Sequence, residues 1–407
     1  MQEKRMTANG VPVYSYRLPH LHSFCLRLYL RAGILYGEEA PGVSHFWEHI
    51  VFKNLDRLYE GRLYERLDSL GASLDACTYR EFIYFSISAA PKHLRLRGML
   101  VAVLSPLLVG SAEVDKERLR IKGEIRESDE KNSLNHFAGH TVWSGTPLDG
   151  MITGTQEDVD RIRLKQLRAE ARKLCGTGRL FFYLTGQFDP GQADGLCDRI
   201  ERLDLAQTGA EYRNQAPVPQ GFCRRAAQVA VKSGSYCSAE LHYDIPRLDA
   251  SVHPRIDLLY SLLFSGEASR LFMELSERSG LVYSFHATTE KYRNIGNLYC
   301  AYEIRQALLY ESLRVFVQVL QSAKTGIDGR DLARVLPAYV DNAEMLLDDP
   351  EELNWTMAYE SILLEQDFAS IEEYRARYQS VTPGGLMETA AEIFRPENCV
   401  AAFQGRK

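Results

Sequence analysis

The chain has 407 residues, a quarter of them charged and 45% hydrophobic, with 48 basic against 54 acidic residues and a net charge of -6. That length is more than one small core needs, so two domains are expected. Both signs of charge are interspersed and no long basic run occurs, which argues against nucleic acid as the main partner, because neutralising phosphates takes a concentrated basic surface.

The opening stretch MQEKRMTANGVPVYSY turns polar where an export signal would need a continuous apolar core. Apolar runs such as LHSFCLRLYLRAGILYG are broken by charge well short of a membrane span. Eight cysteines lie at 25, 77, 175, 197, 223, 237, 300 and 399 with no C-x-x-C pair. They read as buried thiols of a reducing compartment, so a soluble, cytoplasmic protein is expected.

In chain order, VPVYSYRL and FCLRLYLRAGILYG are β-rich, 41–53 and 57–70 carry helical patterns, and ASLDACTY with FIYFSISA forms a hairpin-like pair. Helical stretches follow at 92–108, 113–138 and 157–173, then the strand RLFFYLTGQF and a helix at 190–203. Residues 206–221, AQTGAEYRNQAPVPQG, combine Gly, Pro and polar residues without an apolar period and form a linker. The second half repeats the order of parts. AAQVAVK and YCSAELHYDI are strands, 253–265 and 268–277 helices, LVYSFHATT and NLYCAYEI a second strand pair, 306–323 and 328–346 long helices, and CVAAFQG a closing strand. The fragment GRLYERLDSLG also echoes SRLFMELSERSG. The expected fold is α+β: two homologous α/β-sandwich domains, 1–205 and 222–407, each a mostly antiparallel mixed sheet covered by helices.

The run HFWEH places His45 and His49 one helical turn apart, so both imidazoles leave the same face, and Glu48 lies on that face three residues after His45. This H-x-x-E-H order belongs to the inverzincins. On these five residues alone, a solvated polar face and a metal site are both admissible. A catalytic zinc needs a third protein ligand and an open position. The run VDKERLRIKGEIRESDEKN offers Glu117 and Glu124, seven apart and so within about 20° of each other on one helical face. Glu113, Glu127 and Glu130 read as solvated surface. His136 and His140, also four apart, have no acid between them, and they and His20 and His22 read as structural. No G-x-S-x-G elbow or phosphate loop appears.

With these motifs in place, the sequence resembles the pitrilysin/insulinase family of inverted-zincin metallopeptidases, in the half-length form that includes the mitochondrial processing peptidase subunits. The resemblance extends through LGASLDACTYREFIYFSI, the linker and SRLFMELSERSGLVYS, nearly the whole chain. It implies zinc held by His45, His49 and Glu124, with Glu48 as general base and Glu117 as the supporting acid that orients a ligating histidine. A surface salt bridge to Arg118 or Arg120 is the alternative role for Glu117. It also implies a zinc endopeptidase acting on short or unfolded peptides, such as leader or targeting segments. The substrate would add as a strand along Asp75, Ala76 and Cys77, with Asp75 standing where the family usually has Asn. Tyr283 matches a family tyrosine that contacts substrate. The arginine usual seven residues before it is replaced by Ser276, and Arg278 lies about 200° round the helix. Half-length members pair as the two halves of a clamshell, so a dimer is expected, and Ser276 favours a heterodimer with a homologous chain that carries the arginine. The alternative is a non-catalytic assembly subunit of the same fold. A structural metal is disfavoured, because such sites fill four protein positions.

Overall fold

A computed structural model of the chain describes residues 2–131, 133–206, 225–229, 235–246, 248–293, 295–366 and 368–405. Strands form where apolar and β-branched residues alternate. In the first sheet these are β1 (Glu3–Met6), β2 (Pro12–Arg17), β3 (Phe24–Leu30), β4 (Ser73–Thr78), β5 (Ile83–Ala89) and β6 (Leu180–Gly186). Their order is β1-β2-β6-β3-β5-β4, and β2 pairs with β6 in parallel while the other neighbours are antiparallel.

Period-two alternation sorts the side chains of this sheet. Phe24, Leu26, Leu28 and Leu30 of β3, with Ile83, Phe85 and Ile87 of β5 and Phe182 and Leu184 of β6, face one core. That core is closed by α1 (Val43–Leu58), α2 (Leu63–Asp68), α3 (Arg97–Val103) and α4 (Ser111–Lys131). The opposite face is buried too, because the segment Pro350–Leu363 lies on it. Tyr29 donates its hydroxyl to Asn354 Oδ1 at 3.1 Å, Asn354 Nδ2 donates to the Tyr183 carbonyl at 2.9 Å, and Trp355 packs on the rings of Tyr79, Phe82 and Tyr84.

The second sheet contains β7 (Arg225–Val229), β8 (Tyr236–Ile245), β9 (Phe285–Lys291), β10 (Gly296–Arg305) and β11 (Cys399–Gln404), in the order β7-β11-β8-β10-β9. Here too one pair, β11 with β7, is parallel. Strand for strand it repeats β2-β6-β3-β5-β4, so the internal repeat read from the sequence is a repeat of topology. The echoing fragments GRLYERLDSLG and SRLFMELSERSG both precede the edge strand of their sheet.

Compact packing does not follow a single cut. One unit is drawn from residues 1–128, 150–215 and 345–363, the other from 129–149, 216–344 and 364–407. The expected linker lies outside the described residues except for Ala206. Several expected helices are shorter or divided. The run 113–138 yields α4 and α5 (Ser133–Trp143), which belong to different units. The run 328–346 yields Gly329–Val335, Pro337–Val340 and a 3-10 stretch, Asn342–Asp348, because Pro337 has no N–H for the helix ladder. The run 92–108 begins as 3-10 turns and ends at Val103.

Candidate metal centre

Helix α1 carries two faces with different tasks. Val43, Phe46, Trp47, Ile50, Val51 and Leu55 are buried in the core, and this fixes the direction in which His45, Glu48 and His49 leave the helix. Its start is set by Gly42 at φ 76°, where a Cβ would lie 2.2 Å from the Thr153 carbonyl oxygen. The Glu38 carboxylate accepts from the free backbone N–H groups of Gly42 at 3.1 Å and Ser44 at 3.3 Å.

Helix α4 is anchored through Val114, Ile121 and Ile125 in the core. Arg118 holds it further by donating to the Val159 and Ile162 carbonyls and lying over the Phe46 ring. Arg118 is thereby committed elsewhere, and the expected alternative partners of Glu117 reduce to Arg120, at 3.4 Å.

The two helices bring one ligand atom each from His45, His49 and Glu124 within 4.8 Å of one another. His45 Nε2 is 3.6 Å from one Glu124 oxygen and His49 Nε2 is 3.5 Å from the other. Two ligand atoms bound tetrahedrally at the usual zinc distances lie ~3.4 Å apart, so the donor set and its spacing fit such an ion. His49 Nδ1 donates to Glu117 Oε1 at 3.1 Å, which leaves Nε2 as the ring nitrogen that faces Glu124 and is free to ligate an ion in place of its proton. Glu117 is 2% exposed. Among the described residues, buried His45 Nδ1 has no hydrogen-bond partner.

The electrostatics also suit a cation. Burial pulls His49 down, yet its hydrogen bonds to Glu117 and Glu124 outweigh this and raise it to about 9. Burial and the neighbouring His49 charge push His45 down to about 4. Burial works to raise Glu117, but His49, Lys53 and Arg120 hold it below the usual carboxylate range. One positive charge between two carboxylates is what this arrangement stabilises, whether carried by a proton or a metal ion.

Glu48 is buried beside this cluster, and Thr78 Oγ1 donates to its Oε2 at 2.9 Å. Burial pushes the Glu48 carboxyl up, against the opposing pull of His49 and Thr78. Thr78 is not among the site residues expected from the sequence. Strand alternation contained the signal, since Thr78 shares a face with Ala76 and opposes Cys77. Glu48, His49, Asp75, Ala76, Glu117 and Glu124 line one cleft of about 550 Å³, with Phe52 and Tyr64 as its apolar wall. β4 pairs only with β5 and so presents a free edge along Asp75, Ala76 and Cys77, among the described residues. Asp75 is exposed.

Tyr283 belongs to the other unit and is 94% exposed. Ser276 Oγ donates to its backbone carbonyl at 3.4 Å, and Arg278 is paired with Glu274. Glu113 pairs with Arg57 at the surface, His140 with Asp149, and His20 with the Leu347 carbonyl, as structural roles require. The Glu130 side chain lies outside the described residues.

This two-sheet repeat, with a His-His-Glu cluster between α1 and α4, defines an inverted-zincin type of chain. Residues 13–156 match the family described as Insulinase (Peptidase family M16), and residues 161–337 match its companion, Peptidase M16 inactive domain. The chain belongs to this M16, or pitrilysin/insulinase, family in its half-length form. It is 23% identical over 401 residues to an uncharacterized zinc protease of Streptomyces coelicolor, covering 94% of this chain and 85% of that one. It is also 28% identical over 203 residues to cytochrome b-c1 complex subunit 1 of Mus musculus, covering 49% of this chain and 40% of that one. A protease from Helicobacter pylori has the same fold, with a TM-score of 0.87, 17% identity and 99% of both chains covered.

Proposed function

We propose that the chain is a zinc-dependent endopeptidase that hydrolyses short or unfolded peptides, including leader or targeting segments. The observation that carries this reading is the convergence of His45, His49 and Glu124 beside a buried Glu48 held by Thr78. When bound, zinc supplies Lewis acidity, which lowers the pKa of water to about 7 and polarises a carbonyl. His45, His49 and Glu124 hold the ion, and Glu117 fixes the His49 tautomer through Nδ1. Glu48 takes the proton from the attacking water at its carboxylate and later returns it to the leaving amine. The raised pKa that burial gives Glu48 strengthens it as that base. An extended substrate pairs with the free edge of β4, where backbone hydrogen bonds supply affinity with little sequence demand.

Assembly is part of the proposal. The chain works as a dimer around a closed chamber, with a homologous partner favoured over a second copy, because Ser276 stands where the family's arginine is expected. Tyr283 is the substrate contact that this unit contributes. Among the described residues no cysteine forms a disulfide, which supports a reducing, cytoplasmic location. The second reading, a non-catalytic assembly subunit, is favoured by Ser276 and by the likeness to a cytochrome b-c1 subunit.

Cleavage of a quenched peptide library by the wild type and by Glu48→Gln, each assayed for bound metal, tests the reading. The expected result is retained zinc and lost hydrolysis in the variant. Equal turnover by both removes Glu48 as base, and a wild type that binds zinc without hydrolysing, alone or in its native assembly, favours the second reading. Light scattering on the purified chain tests assembly, and full activity as a homodimer removes the case for a partner.

A further inference from the structure

In the second unit, away from the residues discussed above, most of the buried polar atoms that have no partner among the described residues lie at one place. Gln366 is 2% exposed, its Oε1 accepts from Arg377, and its Nε2 has no hydrogen-bond partner among the described residues. Arg377 Nη2 is used by Gln366 and the Ala250 carbonyl, while its Nη1 is buried without a partner. His253, 1% exposed, leaves both ring nitrogens without partners, and its ring lies within the field of Arg377 and Lys291. A buried donor left unsatisfied costs roughly 1–3 kcal/mol, so a cluster of them marks a missing acceptor.

Gln366 and Arg377 line a cleft of about 510 Å³ together with Arg255 and the hydroxyl-bearing Ser251, Ser380 and Thr382. Its described lining contains two guanidiniums and no carboxylate. The Arg255 guanidinium is paired on one side with Glu388 at 2.9 Å, and Glu388 is not part of the lining. Donors with a net positive charge and no acid complement an oxyanion, since guanidinium forks match phosphate oxygens and the amide N–H adds a fixed direction.

We propose that this cleft, formed by the start of the His253–Leu263 helix, Gln366 and the end of the Ile371–Gln379 helix, is a binding site for a phosphate-class oxyanion. Gln366 Nε2 and Arg377 Nη1 are its buried donors, and Arg255 is its outer cation. The cleft is larger than a bare phosphate ion needs, so it has room for a free phosphate or for a phosphoryl group carried on a small molecule; both present the same oxygens to these donors.

The site is tested by thermal unfolding and calorimetric titration of the whole chain with inorganic phosphate, adenosine monophosphate and acetate at constant ionic strength. The expected result is saturable stabilisation by phosphate or by the monophosphate, and the tighter of the two identifies the source. Gln366→Leu keeps the volume and removes the unpaired donor. It also removes the Oε1 acceptor of Arg377, so unfolding is measured beside binding; the variant is expected to fold with a modest loss of stability and to bind the phosphoryl group at least about ten-fold more weakly. Arg255→Met, at a half-buried side chain, gives a second measure that leaves the Gln366–Arg377 pair in place. The proposal is overturned if no phosphoryl ligand binds saturably, if acetate binds as tightly, or if Gln366→Leu and Arg255→Met both bind as the wild type does.

Discussion

Removing the Glu117 carboxylate tests how far the metal centre depends on its support rather than on its ligands. Glu117 receives His49 Nδ1 at 3.1 Å, Arg120 Nη1 at 3.4 Å and Lys53 Nζ at 3.5 Å. In Glu117→Ala the His49 ring loses the acceptor of its Nδ1, so its tautomer and orientation are no longer fixed. Loss of such a partner weakens metal binding about 10- to 100-fold, or ~1.4–2.7 kcal/mol. Glu117→Gln keeps an acceptor oxygen but not the charge, and is expected to fall between the two. Lys53 and Arg120 both reach solvent and can be rehydrated, so the stability loss should stay below the roughly 3–5 kcal/mol of a fully buried broken pair. Arg120→Ala, which removes an exposed partner of the same carboxylate, should change metal affinity less than about three-fold. Competition of the metal-free protein with a chromophoric zinc chelator gives the affinities, and urea unfolding gives the stability separately. An alanine variant that binds zinc as tightly as the wild type would show that Glu117 does not position His49.

Gly42→Ala places a Cβ in the left-handed region and against the Thr153 backbone, so a loss of at least ~2 kcal/mol in urea unfolding is expected, with weaker zinc binding because His45 follows in the next turn. Thr78→Val removes the hydrogen bond to Glu48 at nearly constant volume. Peptidase turnover should fall roughly 10- to 100-fold with little change in unfolding, Thr78→Ser should restore it, and a fully active valine variant would rule out the positioning role. His253 is held down to about 2 by burial and by Lys291 and Arg377. Below its unfolded value of about 6.5 the unfolded chain takes up a proton that the folded chain refuses, so stability present at neutral pH falls as pH drops, by ~2 kcal/mol between pH 6.5 and 5. His253→Leu should flatten that part of the unfolding-versus-pH curve, and an unchanged slope would contradict a neutral buried imidazole.

The strands were the most legible part of the sequence, because Phe24–Leu30 and Leu180–Gly186 alternate core and cover residues at period two and are bounded by polar turns. The ligand cluster was legible for a different reason. Helical spacing relates His45 to His49 and Glu117 to Glu124, while the choice of Glu124 as third ligand and Glu117 as its support came from the family resemblance and not from spacing. Thr78 escaped notice because a lone threonine in a strand carries no mark until Glu48 is known to face it. The division of 113–138 between two units was not legible, because apolar periodicity records that a helix buries a face and not which sheet receives it. The same holds for Pro350–Leu363, whose Asn354 and Trp355 are indistinguishable in sequence from second-half residues.

That exchange of segments has a practical result for anyone cutting the gene. A fragment ending near residue 215 would lack Pro350–Leu363, leaving Tyr29, Thr185 and the aromatic cluster around Phe82 bare to water, and the complementary fragment would lack Ser133–Trp143. Neither piece is a self-sufficient body, even though each holds an entire sheet. A proteolytic nick between them should therefore leave the fragments co-eluting as one particle, whereas separately expressed halves should be insoluble until mixed.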